Sequence, residues 1–150
     1  MDLFFSLNGR IGRGKWWLGV FVFLIVAIVI GYFFPAMATS PMGIIAMQAI
    51  FIYPVICLYI KRLHDRDKSG NPWLWLFLGP NILYNLLSAF GVGFTQIEIA
   101  PGQTVPSPEG LMWLLLIAMV VFGIWAIVEC GFLVGTRGDN RFGPNPVSND

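Results

Sequence analysis

Long uncharged apolar runs alternate with short polar segments along the chain. Four runs stand out, at residues 16–34, 42–60, 72–94 and 111–134. A helix rises about 1.5 Å per residue, so about 20 apolar residues cross a hydrocarbon core of about 30 Å. Each run therefore predicts a membrane-spanning helix. The first two hold no charge, and the second contains Gln48 and Pro54. The third is interrupted by Gly79-Pro80-Asn81, and the fourth carries one acid, Glu129. Residues 35–41 join the first two runs and are bracketed by Pro35 and Pro41. A connection that short predicts an antiparallel pair. The third helix is expected to kink at Gly79-Pro80, because proline lacks the amide its turn needs. The expected fold class is an all-α integral membrane protein, a four-transmembrane-helix bundle forming one domain over residues 1–150.

Charge placement orients this bundle. Arg10, Arg13 and Lys15 precede the first run. Lys61, Arg62, Arg66 and Lys68 lie between the second and third, and Arg137 and Arg141 follow the fourth. These are all nine basic residues, since 3 + 4 + 2 = 9. Residues 35–41 and 95–110 hold none, and the latter carries Glu98 and Glu109. With four spans every cation falls on one side, so the positive-inside rule predicts both termini in the cytoplasm of a bacterial inner membrane. Segments 1–15, 61–71 and 135–150 are then cytoplasmic. A re-entrant third segment would put Arg137 and Arg141 outside and is disfavoured. Ala36-Met37-Ala38 has the form of a cleavage site, but the preceding apolar run is longer than the roughly 7–15 residues of a signal core. A retained helix is expected.

Composition agrees with the pattern. The chain is 57% hydrophobic and 11% charged, with a net charge of +1 and a mean hydropathy of +0.73. Soluble domains carry about 25% charge, so an ordinary soluble enzyme, a disordered chain and a basic nucleic-acid binder are excluded. Trp16, Trp17, Tyr59, Trp73 and Trp75 fall near the inner ends of the runs, and Tyr32 and Trp113 near the outer ends. Headgroup-level anchoring explains them better than a stacking platform. Cys57, Cys130 and the single His64 lack Cys-x-x-Cys spacing. Even with Glu129 beside them they make a poor metal case, and no cofactor motif is present. Ala89-x-x-x-Gly93 and Gly131-x-x-x-Gly135 permit close helix contact or dimerisation.

Three polar segments converge on the cytoplasmic rim by topology alone. They are residues 9–17, 61–70 and 135–146. Gly9, Arg10, Arg13 and Trp17 stand out in the first. Arg62, Leu63, His64, Asp65, Ser69 and Gly70 stand out in the second. The third carries Gly135, Thr136, Gly138, Asn140, Phe142, Gly143, Pro144 and Pro146. In order and spacing these motifs resemble the family catalogued as domain of unknown function 805, small bacterial inner-membrane proteins. The departures are Asn71-Pro72 where an aromatic usually follows Ser-Gly, Arg137 where proline is usual, and Asn145 where aspartate is usual. The resemblance implies a location and a topology, and no catalytic residue comes with it.

The candidate polar cluster on this rim is Arg10, Arg13, Arg62, His64, Asp65, Ser69, Glu129, Asp139, Asn140 and Arg141. Arg10, Arg13, Arg62, Arg66 and Arg141 are placed to meet lipid phosphate, each near-surface cation contributing about 1 kcal/mol. They also serve as topology signals paired with Asp65, Asp67 and Asp139. His64-Asp65 suggests an oriented imidazole, but neighbours on a helix do not face each other. His64 is therefore expected to pair across to another segment. Glu129 should lie about 7 Å inside the inner end of its span. An acid there needs a partner, and Lys61, Arg62 or His64 are the expected ones. The tail, residues 135–146, reads as a docked clasp built from turns.

The leading functional expectation is a non-enzymatic membrane module whose basic cap binds anionic lipid headgroups or a partner membrane protein. A small oligomeric transporter or channel, using Glu129 and a polar notch at Gly79-Pro80 with Asn81, Tyr84 and Asn85, is one alternative. A membrane enzyme acting on a phosphate-bearing lipid through His64-Asp65 is another.

Overall fold

The computed structural model describes residues 3–147. The outermost parts of the segments expected in the cytoplasm, residues 1–2 and 148–150, lie outside the described residues. Five helices and one β-hairpin follow in the order α1 (Arg13–Phe33), α2 (Pro35–Thr39), α3 (Pro41–Asp65), α4 (Trp73–Ala89), β1 (Phe94–Ala100), β2 (Gln103–Pro108) and α5 (Leu111–Ile127). A π-helical turn, Val128–Phe132, closes α5.

Three helical segments are long and apolar enough to cross a membrane: Arg13–Phe33, Pro41–Asp65 and Leu111–Phe132. Their side chains face outward over most of their length, as Leu24, Ile28, Ile117 and Val120 illustrate. That is the arrangement lipid requires, since tails solvate Leu and Ile as well as a core does. The run expected as the third span is shorter than predicted: α4 covers 17 residues and ends at Ala89. It continues helically through Gly79-Pro80. Past Ala89, Gly91 and Gly93 adopt positive φ and turn the chain into β1.

The expectation of an all-α chain needs correction at residues 94–108. These form an antiparallel hairpin, with Phe94 opposite Pro108 and Ile97 opposite Val105. Alternating Ile97 and Ile99 favour extended backbone, and Pro101-Gly102 supplies the turn, with Gly102 at φ 76°. At Gly93 a Cβ would lie 2.5 Å from Met112 Cγ, so the hairpin seats directly on the start of α5. Residues 35–41 likewise contain a helical turn, α2. Ser40 then caps α3, its Oγ accepting from Gly43 N–H at 3.1 Å.

The N-terminal residues do not hang clear of the bundle. Leu3–Phe5 fold back against α1 and α3. The Phe4 ring meets Phe23 edge-on at 5.2 Å, and Tyr53 Oη donates to the Phe5 carbonyl at 3.3 Å. Phe23 and Tyr53 each lie seven residues inside the predicted inner ends at 16 and 60, about 11 Å along the helices.

The best-buried core sits at the end where α1 begins and α3 stops. It gathers Ile11, Trp16, Leu58, Leu63, Phe77, Ala126 and Cys130. Gly19 lets α3 approach α1 there, since a Cβ on it would lie 2.6 Å from Leu58 Cδ1. Farther along the bundle, Gln48 Nε2 donates to Asn81 Oδ1 at 3.1 Å and ties α3 to α4. Asn85 Nδ2 turns back to the Asn81 carbonyl at 3.0 Å. The crevice there, about 170 Å³ between α3 and α4, is mainly apolar, lined by Phe51, Ile52, Val55, Leu78 and Ile82 with Gln48 and Asn81 as its polar residues; Tyr84 and Asn85, expected in a polar notch, do not line it.

Candidate functional site

The three polar segments converge on the buried end of the bundle, and the last turn of α3 is their hub. Beyond Asp65 the chain reverses, with the Arg66 and Lys68 amides both donating to the Leu63 carbonyl at 2.9 Å. Asp67 takes the left-handed conformation, φ 56°, that such helix ends use. This reversal aims Arg66 and Lys68 at α5 and leaves Asp65 facing the tail.

Asp65 is held by two guanidinium groups. Its Oδ1 accepts from Arg10 Nε at 3.2 Å and Arg10 Nη2 at 3.0 Å. Its Oδ2 accepts from Arg62 Nη1, three residues back on the same helix. Arg10 is 3% exposed, Arg62 0% and Asp65 3%. Two cations and one anion without solvent would be costly unless every donor found an acceptor. Every guanidinium nitrogen does. Arg10 reaches the carbonyls of Gly138 (2.8 Å), Gly143 (3.1 Å) and Thr136 (2.9 Å), and the Thr136 hydroxyl (3.0 Å). Arg62 Nε donates to the Cys130 carbonyl at 2.6 Å, and its Nη2 to the Leu133 carbonyl. Those carbonyls are ones that the ending helix leaves without amide partners. The Asp65 carbonyl in turn accepts from Thr136 N–H at 2.8 Å and Thr136 Oγ1 at 3.1 Å. Gly135 presses on the carboxylate so closely that a Cβ there would overlap it.

His64 and Asp65 do not form a dyad. His64 Nδ1 lies 3.2 Å from the Gly9 carbonyl, and the ring stacks on Phe142 at 3.9 Å with a 6° tilt. Phe142 is thus the lid on this imidazole. Asn140 closes the same corner. Its Nδ2 donates to the His64 carbonyl and to Thr136 Oγ1, each at 2.9 Å, and its Oδ1 accepts from Phe142 N–H at 2.9 Å. The expected clasp is therefore present, held by Arg10, Asp65 and Asn140.

Glu129 is buried, 4% exposed, in the π-helical turn. The partners expected for it, Lys61, Arg62 and His64, are not the ones it has. Arg66 Nε donates to Glu129 Oε1 at 3.0 Å and Lys68 Nζ at 2.7 Å. The reason is local. Arg62 is committed to Asp65 at i+3 and to carbonyls, and Lys61 Nζ donates to the Leu3 carbonyl at 2.6 Å. The reversal after Asp65 brings the next two cations within reach, and Lys68 also lies over the Trp73 ring at 4.1 Å.

Of the sequence-predicted cluster, Arg10, Arg62, His64, Asp65 and Asn140 share one network. Glu129 forms a second node beside it. Arg13 is exposed and donates to the Phe132 carbonyl at 3.1 Å. Ser69 is not in the network, and its Oγ donates to the nearby Asn71 carbonyl at 2.7 Å. Asp139 accepts from Asn145 N–H at 3.0 Å within the tail. Arg141 pairs with Asp67 at 3.2 Å on the exposed edge. The expectation that Arg10 and Arg62 meet lipid phosphate is overturned, because both are buried and turned inward. Residues not predicted as site members include Arg66, Lys68, Thr136, Gly131 and Gly135. At Gly131 a Cβ would lie 2.8 Å from the Trp17 ring, whose Nε1 donates to the Gly131 carbonyl at 3.1 Å. The small-residue pair Gly131/Gly135 thus serves contacts within the chain. Among the described residues, no group of three or more His, Cys, Asp or Glu side chains is placed to hold a metal ion. Cys57 and Cys130 are both buried and form no disulfide among the described residues.

A family model described as "Protein of unknown function (DUF805)" matches residues 4–144. The chain is similar to the uncharacterized protein YiiR of Escherichia coli, 28% identical over 147 residues, covering 93% of this chain and 84% of that one. It is also similar to the inner membrane protein YhaI of Escherichia coli, 31% identical over 87 residues, or 57% of this chain and 72% of that one. No solved structure matches. The matched region contains the first two segments of the clasp whole and the third as far as Pro144.

Proposed function

The chain belongs to the DUF805 family of membrane proteins of unknown function, and from that premise we propose that it is a non-enzymatic, multi-pass module of the bacterial inner membrane whose basic cytoplasmic cap binds anionic lipid headgroups. In this reading α1, α3, α4 and α5 all cross, with both termini inside. α4 has 17 residues, and about 26 Å is enough for a thin or locally adjusted bilayer. Pro80 kinks it at the turn whose amide it removes.

One observation carries the reading. The clasp satisfies Arg10 and Arg62 internally, while Arg13, Lys15, Arg137 and Arg141 remain exposed around it. The hairpin at the far end carries Glu98, with Glu109 directly after it, and no cation. Exposed cations at headgroup level each contribute about 1 kcal/mol toward an anionic leaflet. The two alternatives lose their central groups to structural pairing. Glu129 is held by Arg66 and Lys68, and His64 and Asp65 face different partners. Native mass spectrometry of the protein released from mixed phosphatidylglycerol/phosphatidylethanolamine membranes tests the proposal. Preferential retention of phosphatidylglycerol, lost in the combined Arg13→Gln, Lys15→Gln, Arg137→Gln variant, is expected. Retention in the bulk lipid ratio would refute it, and a co-retained membrane protein would point to the partner-binding form instead.

A further inference from the structure

The mouth of the clasp is not filled. Between the start of α1, the end of α3 and the tail lies a cavity of about 190 Å³. Water occupies about 30 Å³ per molecule in the liquid, so there is room for a small tetrahedral anion with some of its hydration. Three separate elements each place an arginine on the wall: Arg13 from α1, Arg62 from α3 and Arg137 from the tail. Asp65 is the one acid on that wall, and both of its oxygens are already occupied by Arg10 and Arg62. The wall therefore carries two net positive charges, 3 − 1 = 2.

The three arginines differ in what they have left to give. Arg62 is fully buried and turns each of its three nitrogens to an acceptor, on Cys130, Asp65 and Leu133, so its main contribution to the cavity is field. Arg13 spends only Nη1, on the Phe132 carbonyl at 3.1 Å. Arg137 is exposed, and no hydrogen bond from it is found among the described residues. Two arginines with guanidinium donors to spare thus line one cavity, and a guanidinium fork matches the oxygen spacing of phosphate. Gly12 and Arg13, at the start of α1, also line the cavity, and that helix has no side-chain cap and no acid in its first turn. Its positive end adds to the same field.

We propose that this cavity is a single binding site for a phosphate group, chelated by Arg13 and Arg137 over the Arg62–Asp65 floor. The phosphate belongs to an anionic lipid headgroup or is free inorganic phosphate. The lipid form rests on the lipid-binding reading above, whereas the free-phosphate form does not.

The test is a titration of the detergent-purified full chain with two probes, sodium phosphate and short-chain phosphatidylglycerol. Short-chain phosphatidylcholine serves as the neutral reference. Four single variants are compared: Arg13→Gln, Arg137→Gln, Lys15→Gln and Arg141→Gln. All four remove one exposed cation, but only the first two line the cavity. For sodium phosphate the site predicts saturable one-to-one binding, weakened about tenfold by Arg13→Gln or Arg137→Gln and by no more than roughly twofold by the other two. Arg137→Gln keeps the test valid if Arg13→Gln unfolds, and melting without ligand checks each variant. Binding of phosphate but not of phosphatidylglycerol supports the site and overturns the lipid reading. Equal weakening by all four variants overturns the site and leaves diffuse lipid attraction standing. Absence of saturable binding of either probe at millimolar concentration overturns the site.

Discussion

Replacing Asp65 with asparagine should be among the most damaging conservative changes in the chain. Asparagine keeps the shape and one acceptor but removes the charge that Arg10 and Arg62 share. Breaking a buried pair by removing one partner costs about 3–5 kcal/mol, because the other charge stays buried. Here two guanidinium groups are left behind, each under 5% exposed. Their backbone acceptors survive the change, including the carbonyls of Gly138, Thr136 and Cys130. The loss should therefore fall near the lower end, about 3 kcal/mol. For a chain of this length each kcal/mol moves the melting temperature by about 2–4 °C, so a drop of about 6–12 °C is expected in detergent. Maleimide labelling of Cys130, buried beneath the same contacts, should rise in parallel. A double-mutant cycle separates charge pairing from packing. With Arg10→Gln added, the combined loss should be smaller than the sum by about 1 kcal/mol or more. A melting temperature within about 2 °C of the wild type, with Cys130 still protected, would refute the reasoning that the pair holds the tail.

Two further substitutions probe the neighbouring contacts. Gly135→Ala places a Cβ in the volume of the Asp65 carboxylate and should cost about 1–3 kcal/mol by overpacking; an unchanged melting temperature would show that the tail is not seated there. Glu129→Gln removes the anion that Arg66 and Lys68 share, and because those partners are 24% and 27% exposed the loss should be about 1–2 kcal/mol; an unchanged fold together with abolished solute flux in proteoliposomes would instead favour the transporter reading.

The long uncharged runs made the membrane class legible, because hydrocarbon leaves few other ways to hide so many apolar side chains. The motifs of the clasp were legible as candidates for the same reason: Arg10, Asp65 and Asn140 are polar groups at the ends of apolar runs. What the residue string did not reveal was direction. Arg62 reads as a rim cation like any other, and only the proximity of the Cys130 and Leu133 carbonyls turns it inward. The partner of Glu129 was missed because the reversal at Asp67, φ 56°, is a backbone event that sequence spacing does not register. The hairpin at 94–108 did carry a signal, in the alternation of Ile97 and Ile99 and the Pro101-Gly102 turn. It lies in residues 95–110, which read only as a loop between two spans. The return of Leu3–Phe5 along α1 and α3 was likewise written in three consecutive apolar residues placed ahead of the first basic one.

The central claim is that all three motif segments meet in one cap on the cytoplasmic side, with the acidic hairpin outside. Single cysteines introduced by Ser69→Cys, Arg137→Cys or Ser107→Cys, in a background with Cys57→Ala and Cys130→Ala, test it in intact spheroplasts with a membrane-impermeant maleimide. The account predicts labelling of the Ser107→Cys variant from outside, and of the Ser69→Cys and Arg137→Cys variants only after permeabilisation. External labelling of either Ser69→Cys or Arg137→Cys would contradict it.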